Sequence, residues 1–173
     1  MFASRDSVDL FFLDKLTWLL YIDHRRINLK QLLETNGLSS PLGVRGYLQS
    51  LHPKLGSIDA TASVYAQVGV SLGYIKPTRF LGRDEWKRFI AAIRGWRKRS
   101  NVAHDDVLKT VGEPCLEIAS TLAYCTRVGG QIKWIHIDFD NRPYKKRECN
   151  LMSIRKSDKD FRQKVLYIKE AES

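Results

Sequence analysis

Two glycines, Gly129-Gly130, separate two kinds of hydrophobic pattern, and that change limits the fold more than any other feature of the chain. Ahead of them, apolar residues recur at helical spacing. Behind them, residues 131–139 carry β-branched and aromatic side chains (Ile132, Trp134, Ile135, Ile137, Phe139) up to a turn at Asp140-Asn141-Arg142-Pro143. Residues 150–154 and 164–169 have the same strand character. The pattern predicts an α+β protein with a mainly helical body of four to five helices over residues 1–130. A small C-terminal antiparallel β element, a hairpin or three-stranded sheet, is expected over 131–173. Two or three strands alone are marginal, so this element is expected to pack on the helices or on a partner.

Within the helical part, residues 7–35 read as helix, with Leu10, Leu13, Leu20, Leu29, Leu32 and Leu33 at helical spacing and Ser7 as N-cap. Asn36-Gly37 supplies a C-cap. Pro53 and Gly56 break the pattern between 42 and 75, and Asp59 can cap a helix from Ala60 to Val70. Residues 84–98 give the clearest helix: Trp86, Phe89, Ile90, Ile93 and Trp96 line one side, and Lys87, Arg88, Arg94 and Lys98 take the other. A further helical pattern follows in Leu108, Val111, Cys115, Ile118, Leu122 and Cys125, interrupted by Gly112-Glu113-Pro114. Asp105 and Asp106 stand at its start, where acids suit capping and the helix dipole.

The 173 residues, 43% of them hydrophobic, suffice for one domain with a core, or for one domain with a small appendage. Three cysteines without a CxxC pair indicate neither a disulfide framework nor a zinc knuckle, and a reducing cytoplasmic interior fits them. The N-terminus does not read as a signal peptide. The longest apolar stretch, residues 8–22, is interrupted by Asp9, Asp14 and Lys15, so no membrane partner is expected. His52 lies before Pro53, and His136 has only Asp138 beside it, so no metal site is read. With no GK[ST] phosphate loop or GxSxG elbow, no cofactor is expected.

Charge is more informative. The net charge is +10, and residues 76–99 hold nine Lys/Arg (76, 79, 83, 87, 88, 94, 97, 98, 99) against Asp84 and Glu85, or 9 − 2 = +7 of that total. Such concentration points to a polyanion, with nucleic acid first. The basic run ends in Trp96-Arg97-Lys98-Arg99-Ser100-Asn101-Val102-Ala103-His104-Asp105-Asp106. In a continuous helix Arg99 and His104 would stand about 140° apart. They could converge only if the helix ends between them, which Asn101 favours, or if two chains bring their copies together.

A basic helix end, then Arg-Ser-Asn-Val-Ala-His, then two acids and an amphipathic pattern, resembles the HEPN family of small helical domains. The resemblance covers about residues 60–128 and is firmest over 84–108. That family carries Arg, a polar residue, and His after four to six intervening positions. Arg99 and His104 fit the four-residue spacing. Arg97 also lies within the permitted range, and Ser100 stands where the family usually has Asn. The resemblance implies a metal-independent endoribonuclease that dimerises so that two motifs face one cleft, as in toxin or defence systems. It assigns His104 as general acid or base, Arg99 as the group neutralising charge at phosphorus, and Asn101 or Ser100 as an orienting group.

Two other segments add basic residues. Asp23-His24-Arg25-Arg26 reads as a solvated tetrad or a second phosphate contact. Arg142-Pro143-Tyr144-Lys145-Lys146-Arg147 suits single-stranded RNA, with bases stacking on Tyr144 and phosphates meeting Lys145, Lys146 and Arg147. The leading expectation is therefore an RNA-binding endoribonuclease. The alternative is a non-catalytic nucleic-acid-binding or adaptor protein that uses Lys87, Arg88, Arg94, Arg97 and Lys98 on phosphate.

Overall fold

The stripe of Phe89, Ile93 and Trp96 is buried in a helix that runs over Arg83–Trp96, so the periodicity read over 84–98 becomes an amphipathic helix. The computed structural model describes residues 5–38, 40, 42–99, 101–140 and 149–169. Among these are six α-helices: α1 (Arg5–Ile22), α2 (Leu29–Thr35), α3 (Gly43–Leu51), α4 (Ile58–Ser71), α5 (Arg83–Trp96) and α6 (His104–Val111). Five strands follow: β1 (Leu116–Ile118), β2 (Thr121–Val128), β3 (Gln131–Phe139), β4 (Leu151–Ser157) and β5 (Gln163–Ile168). They form one antiparallel sheet in the order β1-β2-β3-β4-β5. The class is α+β, but the sheet is a substantial element that starts at Leu116, and the helices number six. No helix among the described residues is long and apolar enough to cross a membrane.

The chain divides into two compact units. One comprises Met1–Lys76 with Asp160–Arg162, the other Pro77–Lys159 with Gln163–Ser173. In the first, the single helix expected over 7–35 is two. It is already under way at Arg5, ahead of Ser7, and ends at Ile22. His24 takes a left-handed φ of 55°, and Asn28 caps α2 by accepting from the Gln31 N–H at 3.0 Å. Ser57, rather than Asp59, caps α4 by accepting from the Ala60 N–H at 3.1 Å. Phe12 of α1 stacks on Tyr65 of α4, with ring centroids 5.5 Å apart.

In the second unit α5 packs on the sheet through Phe89, whose ring lies 4.8 Å from that of Tyr124 on β2. The helical spacing through Ile118, Leu122 and Cys125 belongs to β1 and β2 instead, with Cys115 just ahead of β1. Gly112 turns the chain out of α6 at φ 83°, ψ −166°, a conformation reserved for glycine. Residues 121–126 are then buried on both faces of the sheet. A strand covered on both sides loses its alternation, and an accidental i, i+3, i+4 spacing passes for a helix. Gly129 and Gly130, at φ 57° and 76°, form the two-residue turn between β2 and β3.

Candidate nucleic-acid interface

The Glu85 carboxylate fixes the start of α5. It accepts from the Gly82 N–H at 2.8 Å and from the Arg79 guanidinium at 2.6 Å. The Gly82 bond, with help from Arg79, holds its pKa below the ordinary glutamate value despite partial burial. From this anchor the outer face of the helix presents Lys87, Arg88 and Arg94, all exposed, and Arg97, Lys98 and Arg99 continue the exposed run past Trp96. Lys87 has an acidic neighbour, Asp84, at 3.9 Å. The other five make no ion pair among the described residues. Exposed Ala91 and Gly95 leave an open floor between Lys87/Arg88 and Arg94, roughly 10 Å along the axis at 1.5 Å per residue.

α5 ends at Trp96, ahead of Arg99, and α6 begins at His104, so no continuous helix joins the two. The connection is stitched to the sheet: the Leu151 N–H donates to the Val102 carbonyl at 2.9 Å, Ala103 bridges Asn150, and the His104 N–H donates to the Cys149 carbonyl at 3.1 Å. Asp106 caps α6 by accepting from the Ala103 N–H at 3.1 Å, which places His104 at the first position of that helix.

The two motif residues then part company. Arg99 faces solvent. The His104 side chain, 11% exposed, sits edge-on to Phe139 with centroids 5.1 Å apart. Its Nδ1 is enclosed without a hydrogen-bond partner, 3.8 Å from an Asp105 carboxylate oxygen. Asn101 accepts from the Lys169 ammonium at 3.0 Å, which adds to this corner a cation that the sequence did not mark.

Ser100 and the segment with Arg142, Tyr144, Lys145, Lys146 and Arg147 lie outside the described residues. The residues that bracket that segment are described. Asp140 donates its N–H to the Asn150 carbonyl at 2.9 Å, and Cys149 holds His104.

A different cluster lies buried on the sheet and escaped the sequence reading. Asp138 receives Arg155 Nε at 2.7 Å and Nη2 at 2.8 Å, Thr121 Oγ1 at 2.9 Å and Ser153 Oγ at 2.5 Å. Arg155 also donates to Gln163 at 3.0 Å. Burial alone would raise the Asp138 pKa, but Arg155 and the Ser153 hydroxyl outweigh it and hold it below the ordinary value. His136, stacked on Trp134 at 6.0 Å, has no partner at either ring nitrogen. Burial, then Arg155, pushes its pKa down to about 3, with Asp138 opposing. The signal was Arg155 flanked at period two by Ser153 and Ser157 in a strand that opens on the apolar Leu151 and Met152. The register that sets it across from His136 is visible only in the folded sheet.

Comparison of the chain with family models, curated proteins and solved structures returned no match.

Proposed function

We propose that this chain binds nucleic acid, RNA in preference to DNA, by laying the exposed face of α5 and its C-terminal turn along the phosphate backbone. The observation that carries this reading is the run of Arg88, Arg94, Arg97, Lys98 and Arg99, exposed and without ion-pair partners among the described residues. Cations left in water release condensed counterions when they meet phosphate, which makes binding strong and salt-dependent. The test is a salt titration of a labelled single-stranded RNA against wild type and the Lys87→Glu/Arg88→Glu/Arg94→Glu variant. The variant is expected to bind about ten- to a hundredfold more weakly, with a shallower slope of log affinity against log salt. An unchanged slope would remove α5 from the interface.

A second reading adds chemistry. His104 opens α6 and would act as the base. It would take the proton of the ribose 2′-hydroxyl as that oxygen attacks phosphorus; the P–O5′ bond would break, the 5′-oxygen would take a proton from water, and a 2′,3′-cyclic phosphate would be left. Arg99 would neutralise the added charge. Since Arg99 faces solvent while His104 packs on Phe139, a second copy supplying the facing motif suits this reading. Cleavage of RNA in EDTA by wild type, lost by about a hundredfold or more in His104→Ala of unchanged circular dichroism, is the expected result. RNA that is bound but stays intact leaves the chain a binding protein.

A further inference from the structure

The first unit carries a surface made differently from α5, apolar at its centre and basic at its rim. Trp18 is 60% exposed, Tyr21 80%, Ile22 48% and Ile27 38%, on the last turns of α1 and the connection to α2. Leu13, Thr17 and Tyr21 follow at i, i+4, i+8 and so form one line along the helix. Beside that line runs a groove of about 490 Å³ whose apolar walls are Leu13, Ile27 and Leu29 and whose cations are Arg26 and Lys30. Adjacent exposed aromatics rimmed by charge mark an interaction surface more often than a solvated one.

The charges indicate the occupant. Arg25 is engaged by Asp23 at 3.7 Å, by the Leu72 carbonyl and by the Tyr74 ring. Arg26 has no partner among the described residues, and Lys30 reaches only Glu34, at 4.0 Å and in solvent. The rim is therefore open to carboxylates. A second copy would set these same cations against each other in a chain of net charge +10, which opposes self-association here. The line of Leu13, Thr17 and Tyr21 is about 12 Å long, the reach of two turns of helix.

We propose that this groove docks an acidic amphipathic helix of a partner protein, its apolar side chains entering between Leu13, Ile27 and Leu29 and its carboxylates meeting Arg26 and Lys30. The mode is that of a helix laid in a hydrophobic groove, its flank meeting exposed Trp18, next in sequence to the groove-lining Thr17, and Tyr21, one turn beyond Thr17. The proposal rests on different residues, in a different unit, from the nucleic-acid reading, so either can fail alone.

The experiment titrates the full chain into a fluorescein-labelled amphipathic peptide of about 15 residues, with Leu at i, i+3, i+4 and i+7 and Glu elsewhere. A scrambled peptide of identical composition is the control, and anisotropy is the readout. Trp18→Ala and the Arg26→Glu/Lys30→Glu pair, all at exposed positions, are each expected to weaken binding about tenfold or more. Lys87→Glu/Arg88→Glu/Arg94→Glu is expected to stay within about twofold, and the scrambled peptide to bind at least tenfold more weakly. Equal binding of the scrambled peptide, loss confined to the α5 variant, or no binding of the acidic peptide would overturn the proposal. It is also overturned if sedimentation shows a dimer that Trp18→Ala dissociates, which assigns the groove to a second copy. Trp18-dependent binding to phosphatidylserine vesicles in place of the peptide overturns it in favour of a lipid surface.

Discussion

Arg155 and Arg94 belong to the same compact unit, yet their surroundings give them opposite work. Arg155 is wholly buried, with two of its nitrogens on Asp138 and a third on Gln163. Arg94 stands in solvent on α5 with no ion pair among the described residues. A guanidinium closed in by partners holds strands in register and has little left for a ligand. One held open by a rigid helix is ready for phosphate, because its attraction has not been cancelled inside the fold. Composition counts both as +1. Only the environment decides which charge is structural and which is available.

Breaking the closed site should have the largest effect. Arg155→Leu leaves the Asp138 carboxylate buried without its counter-ion, and a loss of about 3–5 kcal/mol in urea unfolding is expected. Replacing both partners, Asp138→Leu with Arg155→Leu, should recover much of that loss, since neither charge is then stranded. A loss under about 1 kcal/mol in the single variant would mean the cluster is no more structural than α5. A pH series sharpens the same contrast. His136 titrates near 3 in the fold and near 6.5 when unfolded, so the unfolded chain takes up a proton in that window that the native chain refuses. Its neutral burial therefore destabilises the fold increasingly as pH falls below 6.5, by roughly 2 kcal/mol between pH 6.5 and 4.5. Asp138, held below the ordinary carboxylate range, adds a loss of the same sign only at lower pH. Urea midpoints at three pH values should show the slope in wild type and a flatter one in His136→Phe.

The open site was legible in the sequence and the closed one was not, for the same physical reason. An amphipathic helix displays its two faces at a 3.6-residue period, so α5 could be read with its basic side and its buried Phe89, Ile93 and Trp96 already sorted. The strand β3 was legible too, because 131–139 carries β-branched and aromatic residues and sits between turn residues. In β2 both faces are covered, and the period that distinguishes strand from helix disappears. The pairing of Asp138 with Arg155 spans 17 residues and depends on register, which no local spacing encodes. The Arg99–His104 spacing stood out as a motif. That Phe139 would pack against the imidazole and Lys169 would reach Asn101 depends on contacts from β3 and the end of β5, far along the chain.

Lys169 is the intermediate case and gives the smallest expected effect. It is half-buried, its N–H donates to the Met152 carbonyl at 2.8 Å, and its ammonium reaches Asn101, the residue two past Arg99. If the interface runs from α5 across this turn, Lys169 contributes one phosphate contact. Lys169→Ala should then weaken RNA binding by about two- to fivefold and lower the salt slope by about one. Its unfolding free energy should move by no more than about 1 kcal/mol, its bond to Asn101 being exposed. Asn101→Ala removes the tether and keeps the charge, so it should leave the slope unchanged. A larger stability loss with no change in slope would place Lys169 with Arg155 among the charges that serve the fold, and would end the interface at Arg99.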